Sequence, residues 1–138
     1  MKLELKILLV EDNIIEILKL KRAIENLGMN HEVLEAENGE IALDSIKQEE
    51  INPDIVLLDL NMPKMNGLEF LAIVRNDESM RHLPIIILST SNNNRDLMEA
   101  YKLGVSGYIL KPLKYDDYVK KIEHTLLYWS NNELITHE

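Results

Sequence analysis

Short apolar runs alternate with longer stretches of helical spacing five times along the 138-residue chain. The runs are rich in Ile, Val and Leu, which is typical of buried parallel strands. They occupy residues 7–10, 32–36, 55–58, 85–88 and 108–110. The second run alternates polar with apolar residues and is bounded by charge, so we place it at an edge of the sheet.

The stretches between these runs carry apolar residues three and four positions apart, which is the spacing of one helix face. In chain order the five faces contain Ile17, Leu20, Ile24 and Leu27; Ala42, Leu43 and Ile46; Leu68, Leu71 and Val74; Leu97, Ala100 and Tyr101; and Val119, Ile122, Leu126 and Trp129. Asn38 precedes the second helix, and one of Asn92 to Asn94 can cap the fourth. Gly28 follows the first helix as a left-handed stop, and Gly104 closes the fourth. Residues 77–83 are charged and are predicted to form a surface loop.

Five strand–helix units predict an α/β fold, a doubly wound five-stranded parallel sheet with helices on both faces. The expected order is the flavodoxin-like 2-1-3-4-5 with right-handed crossovers. Strands 1 and 3 then meet where the winding reverses, and their carboxyl ends frame a crevice. We expect one domain over residues 1–138, with a core over 6–129, a short C-terminal tail over 130–138 and no room for an output domain.

The charge and composition exclude several kinds of function. The net charge of -9 argues against nucleic-acid binding and against anionic membrane surfaces. The absence of cysteine excludes disulfides and thiolate metal sites. The N-terminal apolar run is too short and too charged for a signal peptide or a spanning helix, so we expect a cytoplasmic protein. His31, His82, His124 and His137 fit no ligand spacing and are expected at the surface.

Reactive side chains follow four of the predicted strands. They are Glu11 and Asp12 after strand 1, Asp59 after strand 3, Ser89 and Thr90 after strand 4, and Lys111 after strand 5. Because the carboxyl ends of parallel strands converge at one edge of a doubly wound sheet, these groups are expected to share one crevice.

Three carboxylates in one crevice repel one another, which raises their pKa values unless a cation is bound. The ligands are all oxygen, so the expected cofactor is Mg²⁺. Asp12 and Asp59 are the expected direct ligands, Glu11 holds a coordinated water, and the backbone carbonyl of Asn61 supplies a further oxygen.

A carboxylate beside a cation and an ammonium is suited to phosphoryl transfer. Asp59 would be the nucleophile and form an acyl phosphate. Lys111 and the metal would neutralise charge on the transferred oxygens. The Ser89 hydroxyl would donate to one of those oxygens.

Four motifs in order carry a resemblance to a known family. They span residues 7–13, 54–63 with Gly67, 84–90 and 107–112. With these motifs the chain, from Lys6 to Trp129, resembles a CheY-like receiver domain of a two-component response regulator. The resemblance implies that Asp59 is the phosphoacceptor, Glu11 and Asp12 the acidic pair, Ser89 the switch hydroxyl, Tyr108 the rotating aromatic and Lys111 the phosphate-binding lysine.

The resemblance also implies a cis peptide before Pro112. Two residues depart from the commoner pattern, since Glu11 stands for Asp and Ser89 for Thr. Asn61 and Ser91 lie where such domains tune their hydrolysis rate.

A finer resemblance rests on residues 75–83, 89–91 and 127–129. These look like the single-domain regulators that serve bacteriophytochrome-type and hybrid histidine kinases. This finer resemblance implies a homodimer through the aromatic last helix. The phosphorylation switch itself implies a histidine kinase or a histidine phosphotransfer protein as donor, an unknown downstream protein on the face of helix 4, strand 5 and helix 5, and onward relay of the phosphoryl group to a second histidine.

Simpler interpretations of the same residues stay open. Asp59 can begin a turn, the acid pair can cap the first helix, and Lys111 can be solvated. Tyr108 can be a core aromatic with its hydroxyl at the surface. Trp129 fits the core as well as an interface, where Tyr115, Tyr118 and Tyr128 would join it.

Two other functions compete with the phosphorylation switch, which is not an enzyme beyond self-phosphorylation and self-dephosphorylation. A phosphohydrolase of the haloacid dehalogenase class shares the Asp, Lys, hydroxyl and Mg²⁺, and Asp59-Leu60-Asn61 mimics its motif. That class, however, places its nucleophile on the earliest strand and has a cap insertion. An inert receiver-like scaffold would lack the acceptor, the acid pair or the lysine, and all are present.

Overall fold

The computed structural model describes residues 4–135, in which five strands and five helices alternate along the chain. The strands are β1 (Lys6–Val10), β2 (Glu32–Ala36), β3 (Ile55–Leu58), β4 (Ile85–Ser89) and β5 (Gly107–Leu110). The helices are α1 (Ile14–Asn26), α2 (Gly39–Lys47), α3 (Gly67–Arg75), α4 (Asn94–Lys102) and α5 (Tyr115–Ser130). His137 and the end of the predicted tail lie outside the described residues.

The strands form one parallel sheet in the order β2-β1-β3-β4-β5. This confirms the predicted flavodoxin-like order and the edge position of β2. The β1–β3 register pairs Val10 with Leu58, the last residue of each strand. The residues that follow, Glu11 and Asp59, therefore leave the sheet at the same level.

Alternate residues of the central strands pack on opposite faces, as the pleat of a strand requires. Leu8 and Val56 belong to the core layer that α2, α3 and α4 cover, while Leu9 and Leu57 belong to the layer under α1 and α5. Helices on both faces confirm the doubly wound fold. No helix within residues 4–135 combines the length and apolar character needed to cross a bilayer.

The predicted helix ends are confirmed at four positions. Gly28 and Gly104 adopt φ values of 68° and 93°, the left-handed conformation that glycine tolerates best. The side chains of Asn38 and Asn93 accept hydrogen bonds from backbone amides in the first turns of α2 and α4.

Residues 77–83 form the predicted loop, but the segment is not confined to the surface. Met80 is 1% exposed and Leu83 is also buried, so the segment inserts two side chains into the core under α3. The charged residues around them hid this in the sequence, because they lie on the solvent side of the same turns.

Arg75 holds this segment to the rest of the domain. Its partly buried guanidinium donates to the carbonyls of Gly104 (2.7 Å), Leu83 (2.8 Å) and Arg81 (3.2 Å), and to Ser106 Oγ (3.3 Å). Burial lowers the pKa of Arg75. One side chain thus joins the loop before β4 to the loop before β5.

Two expectations about single residues are wrong. All peptide bonds among the described residues are trans, including the one before Pro112, which is the intrinsically preferred isomer of an X–Pro bond. His31 is half-buried, since its Nδ1 accepts a hydrogen bond from the Leu5 amide at 2.9 Å. For Tyr118, where both a core and an interface position were open, the structure favours the core, because the ring is fully buried against α1.

The outward faces of α4 and α5 also differ from a simple amphipathic pattern. In α4 only Ala100 is buried, whereas Leu97 and Tyr101 of the predicted face are exposed. In α5 the Trp129 ring packs partly into the core, and the neighbouring Tyr128 is 62% exposed. These helices therefore present apolar surface to solvent.

Replacing Arg75 with methionine should destabilise the domain. The change keeps much of the aliphatic volume but leaves the part-buried Leu83 carbonyl and the exposed carbonyls of Gly104 and Arg81 without this donor, so we expect the free energy of unfolding to fall by about 1–3 kcal/mol. Urea denaturation followed by circular dichroism measures it. The matched control Arg95→Met, at an exposed position of α4, should change stability by less than about 0.5 kcal/mol. Equal stability of the two variants would contradict the role of Arg75 in holding the loops before β4 and β5 together.

Candidate functional site

Three carboxylates meet at the carboxyl ends of β1 and β3. One oxygen each from Glu11, Asp12 and Asp59 lies within 4.8 Å of the other two. The Glu11 side chain is buried, that of Asp59 is partly buried, and Asp12 is exposed. The cluster therefore opens to solvent on the side of Asp12.

The backbone around Asp59 is held at two points. The Asp59 amide donates to the Val10 carbonyl at 3.1 Å, which extends the β1–β3 pairing by one residue. The Gly67 amide donates to the Leu60 carbonyl at 3.0 Å and closes the loop after β3. A Cβ at Gly67 would lie 2.5 Å from the Asp59 carbonyl oxygen, so only glycine fits this approach.

Lys111 enters the same crevice from the end of β5. Its Nζ lies 3.2 Å from Glu11 Oε1 and 3.3 Å from Glu16 Oε2, and its side chain is 7% exposed. The Lys111 amide donates to the Ser89 carbonyl at 2.8 Å, so the backbone that carries the ammonium is fixed to β4. The ammonium and the acidic cluster thus face each other across one buried space, which Lys111 and Asp59 both line.

Sequence reasoning missed Glu16. A signal was present, because Asn13 and Glu16 have the spacing of a capping box at the start of α1. That signal predicts that Glu16 bonds the backbone of Asn13, whereas the structure directs it to Lys111.

Glu11 and Asp59 are held in an environment that disfavours their charged forms. Burial raises the pKa of Glu11 to about 7, with Lys111 opposing the rise and Asp59 adding to it. Burial also raises the pKa of Asp59, again opposed by Lys111, while Asp12 contributes a further rise. The pKa values of Glu11 and Asp59 are therefore raised, as expected, but the largest cause is desolvation and not repulsion between the carboxylates.

This donor set fits a hard divalent cation. It offers carboxylate oxygens alone, at spacings that one ion can bridge, and a cation would offset the charge that burial disfavours. Asn61 is exposed in the loop after β3, next to this cluster in sequence. Its carbonyl as a ligand remains a prediction.

Ser89 and Tyr108 are connected through Ser91. The fully buried Ser89 accepts a hydrogen bond at Oγ from the Ser91 amide at 3.0 Å, and the Tyr108 hydroxyl donates to the Ser91 carbonyl at 3.0 Å. The Ser91 hydroxyl donates to Asp96 of α4 at 2.8 Å. Asp96 was not predicted, since its partner lies in an irregular loop. Thr90, at the same strand end, is exposed.

The structure therefore brings Glu11, Asp12, Asp59 and Lys111 together. It places Ser89 on the strand between β3 and β5 and Tyr108 one hydrogen-bonded residue away. These contacts argue against two of the simpler interpretations. Lys111 is paired with Glu11 and is not a solvated lysine, and the Tyr108 hydroxyl bonds the Ser91 carbonyl instead of solvent alone.

Comparison with known proteins places this site in a family. The sequence profile of the response regulator receiver domain matches residues 7–123. The chain is similar to the probable methanogenesis regulatory protein FilR2 of Methanothrix harundinacea, with 37% identity over 127 residues that cover 89% of this chain and 82% of FilR2.

Solved structures show the same likeness. The phosphorylated cyanobacterial phytochrome response regulator RcpA superposes with a TM-score of 0.89 at 33% identity, covering 96% of this chain and 99% of RcpA. The Mn²⁺-bound form of Rcp1, a response regulator of Synechocystis, superposes with a TM-score of 0.87 at 28% identity, covering 96% of this chain and 99% of Rcp1.

Removing the Asp59 charge should stabilise the metal-free protein. The pKa of Asp59 is raised in the folded state, so its ionisation opposes folding above its ordinary pKa and has no effect well below it. Asp59→Asn should therefore raise the free energy of unfolding at pH 8 in the presence of a chelator, and by less near pH 4. Denaturant titrations at both pH values measure this.

Asp44→Asn is the matched control, because Asp44 lies exposed on α2. It should leave stability nearly unchanged at both pH values. Loss of stability in Asp59→Asn at pH 8 would contradict the electrostatic description of the site.

Proposed function

The chain belongs to the family of response regulator receiver domains, and from that premise we propose that it is a receiver that is phosphorylated on Asp59 with Mg²⁺. Phosphorylation would change its protein-binding face. The observation that carries the proposal is the crevice in which Asp59 lies beside Glu11 and Asp12, with the Lys111 ammonium in contact with Glu11.

In the proposed reaction, Asp59 accepts a phosphoryl group from a phosphohistidine. An Asp59 carboxylate oxygen forms a bond to phosphorus while the phosphorus–nitrogen bond breaks and leaves its electron pair on the imidazole. Lys111 neutralises charge on the phosphoryl oxygens, and Ser89 donates to one of them.

Mg²⁺, when bound, supplies positive charge against the transferred oxygens. Asp12 and Asp59 would hold it directly, Glu11 would hold a coordinated water, and the Asn61 carbonyl would complete the set. The oxygen-only donor set and the raised pKa of Glu11 support this assignment. The Mn²⁺-bound form of Rcp1 shows that a relative takes a divalent ion.

The chain Ser89–Ser91–Tyr108 is the proposed switch. The Ser89 hydroxyl accepts a hydrogen bond from the Ser91 amide, so a shift of this hydroxyl toward the phosphoryl group would disturb Ser91. Ser91 is in turn hydrogen-bonded to Tyr108 on β5 and to Asp96 on α4. The movement would therefore reach the face formed by α4, β5 and α5.

That face carries the exposed apolar side chains that a protein partner needs. They are Leu97, Met98, Tyr101, Leu110, Leu127 and Tyr128. Apolar groups clustered on a surface are typical of a binding site. We propose this face for the unknown downstream protein, and it would also serve a homodimer.

The phosphodonor would be a histidine kinase or a histidine phosphotransfer protein. Ile14, Ile15 and Leu18 of α1 are each more than half exposed, directly after Asp12, and Leu113 after β5 is fully exposed. These side chains form an apolar rim on elements that border the crevice, suited to a protein donor that must bring its imidazole to Asp59. The net charge of -9 disfavours nucleic acid and membrane partners, and we place the protein in the cytoplasm.

The family is one of signalling domains and not, in general, of enzymes. We propose at most self-phosphorylation and self-dephosphorylation for this chain. The competing phosphohydrolase would carry its nucleophile on the earliest strand, whereas Asp59 follows β3. No observation favours that alternative.

Incubation with acetyl phosphate and Mg²⁺ should add one phosphoryl group to the protein. Intact-mass spectrometry measures it, and a chelator should prevent it because the charge on the transferred oxygens is then not neutralised. Asp59→Asn should take up none, while Asp44→Asn should be labelled like the original protein. Equal labelling of Asp59→Asn would refute the assignment of the phosphoacceptor.

Ile15→Glu should impair phosphorylation by a protein donor alone. Phosphotransfer profiling against the histidine kinases of the same genome identifies the donor kinase. A charge in the apolar rim should slow transfer from that kinase by about tenfold or more, which is the effect expected when a central interface contact is lost. The rate with acetyl phosphate should not change, since that donor needs no protein contact. Ile135→Glu, an exposed control outside α1, should leave both rates unchanged. Equal kinase rates in the two variants would exclude α1 as the docking surface.

A further inference from the structure

The Lys111 ammonium has two carboxylate partners, and the second one belongs to a different element from the acidic cluster. Glu16 Oε2, from the first turn of α1, lies 3.3 Å from Nζ, with the Glu16 side chain 26% exposed. Glu11 Oε1 lies 3.2 Å from the same atom. Within residues 4–135 the ammonium has these two ion pairs and none with Asp59.

A comparison within the molecule shows that the position of Glu16 is not imposed by its place in the helix. Glu69 is the third residue of α3 and completes a capping box, since it accepts a hydrogen bond from the Asn66 amide at 3.2 Å. Glu16 is the third residue of α1 and also follows an asparagine cap. Both pairs have the same sequence pattern.

In α1 the cap amide is already used by another group. The Asn13 amide donates to Glu11 Oε2 at 3.4 Å, so Glu11 takes the place that a capping-box glutamate would fill. Glu16 is therefore available to Lys111. The two oxygens of Glu11 link the Asn13 amide to the ammonium, and Glu16 binds the ammonium from the α1 side.

This arrangement conflicts with what phosphorylation requires of Lys111. The ammonium has to contact oxygens on the group attached to Asp59, whereas in the unphosphorylated protein Glu16 holds it on the side of α1. Glu16 does not belong to the cluster of Glu11, Asp12 and Asp59. A cation bound to that cluster would therefore leave the ion pair between Glu16 and Lys111 in place. The Glu16 charge also disfavours an incoming phosphoryl group by simple repulsion.

We propose that Glu16 is a positioning residue that restrains the Lys111 ammonium in the unphosphorylated state and thereby slows phosphorylation of Asp59. This rests on the proposed function of Asp59 and Lys111. Glu16 takes no part in the transfer itself. With acetyl phosphate, the Asp59 carboxylate oxygen bonds to phosphorus as the phosphorus–oxygen bond to acetate breaks and acetate leaves with the electron pair.

The test compares Glu16→Gln with Glu69→Gln, which removes the same charge at the same position of α3. The rate constant for labelling by acetyl phosphate at fixed Mg²⁺ should rise by about threefold to tenfold in Glu16→Gln, the range expected for loss of one partly buried ion pair. Glu69→Gln should match the original protein. An unchanged or lower rate in Glu16→Gln, relative to Glu69→Gln, would overturn the proposal.

A second measurement needs neither metal nor phosphodonor. The ε-methylene ¹³C resonance of Lys111, assigned by its loss in Lys111→Arg, should shift in metal-free Glu16→Gln and stay in place in Glu69→Gln. An unshifted resonance in Glu16→Gln would overturn the restraint. Failure of the original protein to take up phosphate would refute the proposed function instead, so the two failures are distinguishable.

Discussion

The parallel pairing of β1 with β3 is the constraint on which the site depends. The register that sets Val10 beside Leu58 places the acid pair and Asp59 at the same height, and the Asp59 amide continues the pairing by one residue. A slip of one residue would turn the apolar side chains of β3 to the opposite core layer as well as displace Asp59. The packing of the two core layers therefore fixes the register of β3 and, with it, the position of Asp59 beside the acid pair.

The crevice itself opposes stability. Glu11 and Asp59 are desolvated enough to raise both pKa values, and Lys111 offsets only part of that effect. Such an arrangement persists because the surrounding fold determines it, as at Gly67, where any side chain would collide with the Asp59 carbonyl. A cation bound to this oxygen-only cluster would offset the charge that burial disfavours.

Sequence patterns were sufficient for the fold and for bringing most of the candidate site residues to one edge of the sheet, because both depend on periodicity and strand ends. The strand order and the helix caps at Asn38 and Asn93 follow from local rules. The contacts that were missed are tertiary. Arg75 and Glu16 each have partners far away in sequence, and their own neighbourhoods suggest an exposed arginine and an ordinary capping glutamate.

The outer face of α4 shows that apolar residues at helical spacing can mark an exposed surface as well as a buried one. Leu97 and Tyr101 have helical spacing, which in most helices marks the buried side, yet Ala100 alone is buried. The first turn of this helix is tied through Asp96 to Ser91, and Ser91 also holds Ser89 and Tyr108. A helix that buries one residue, exposes an apolar face and is tied to the crevice loop through Ser91 has little to resist a shift. In the proposed switch, the weak burial of α4 is therefore the property that would let a change at Asp59 reach a partner.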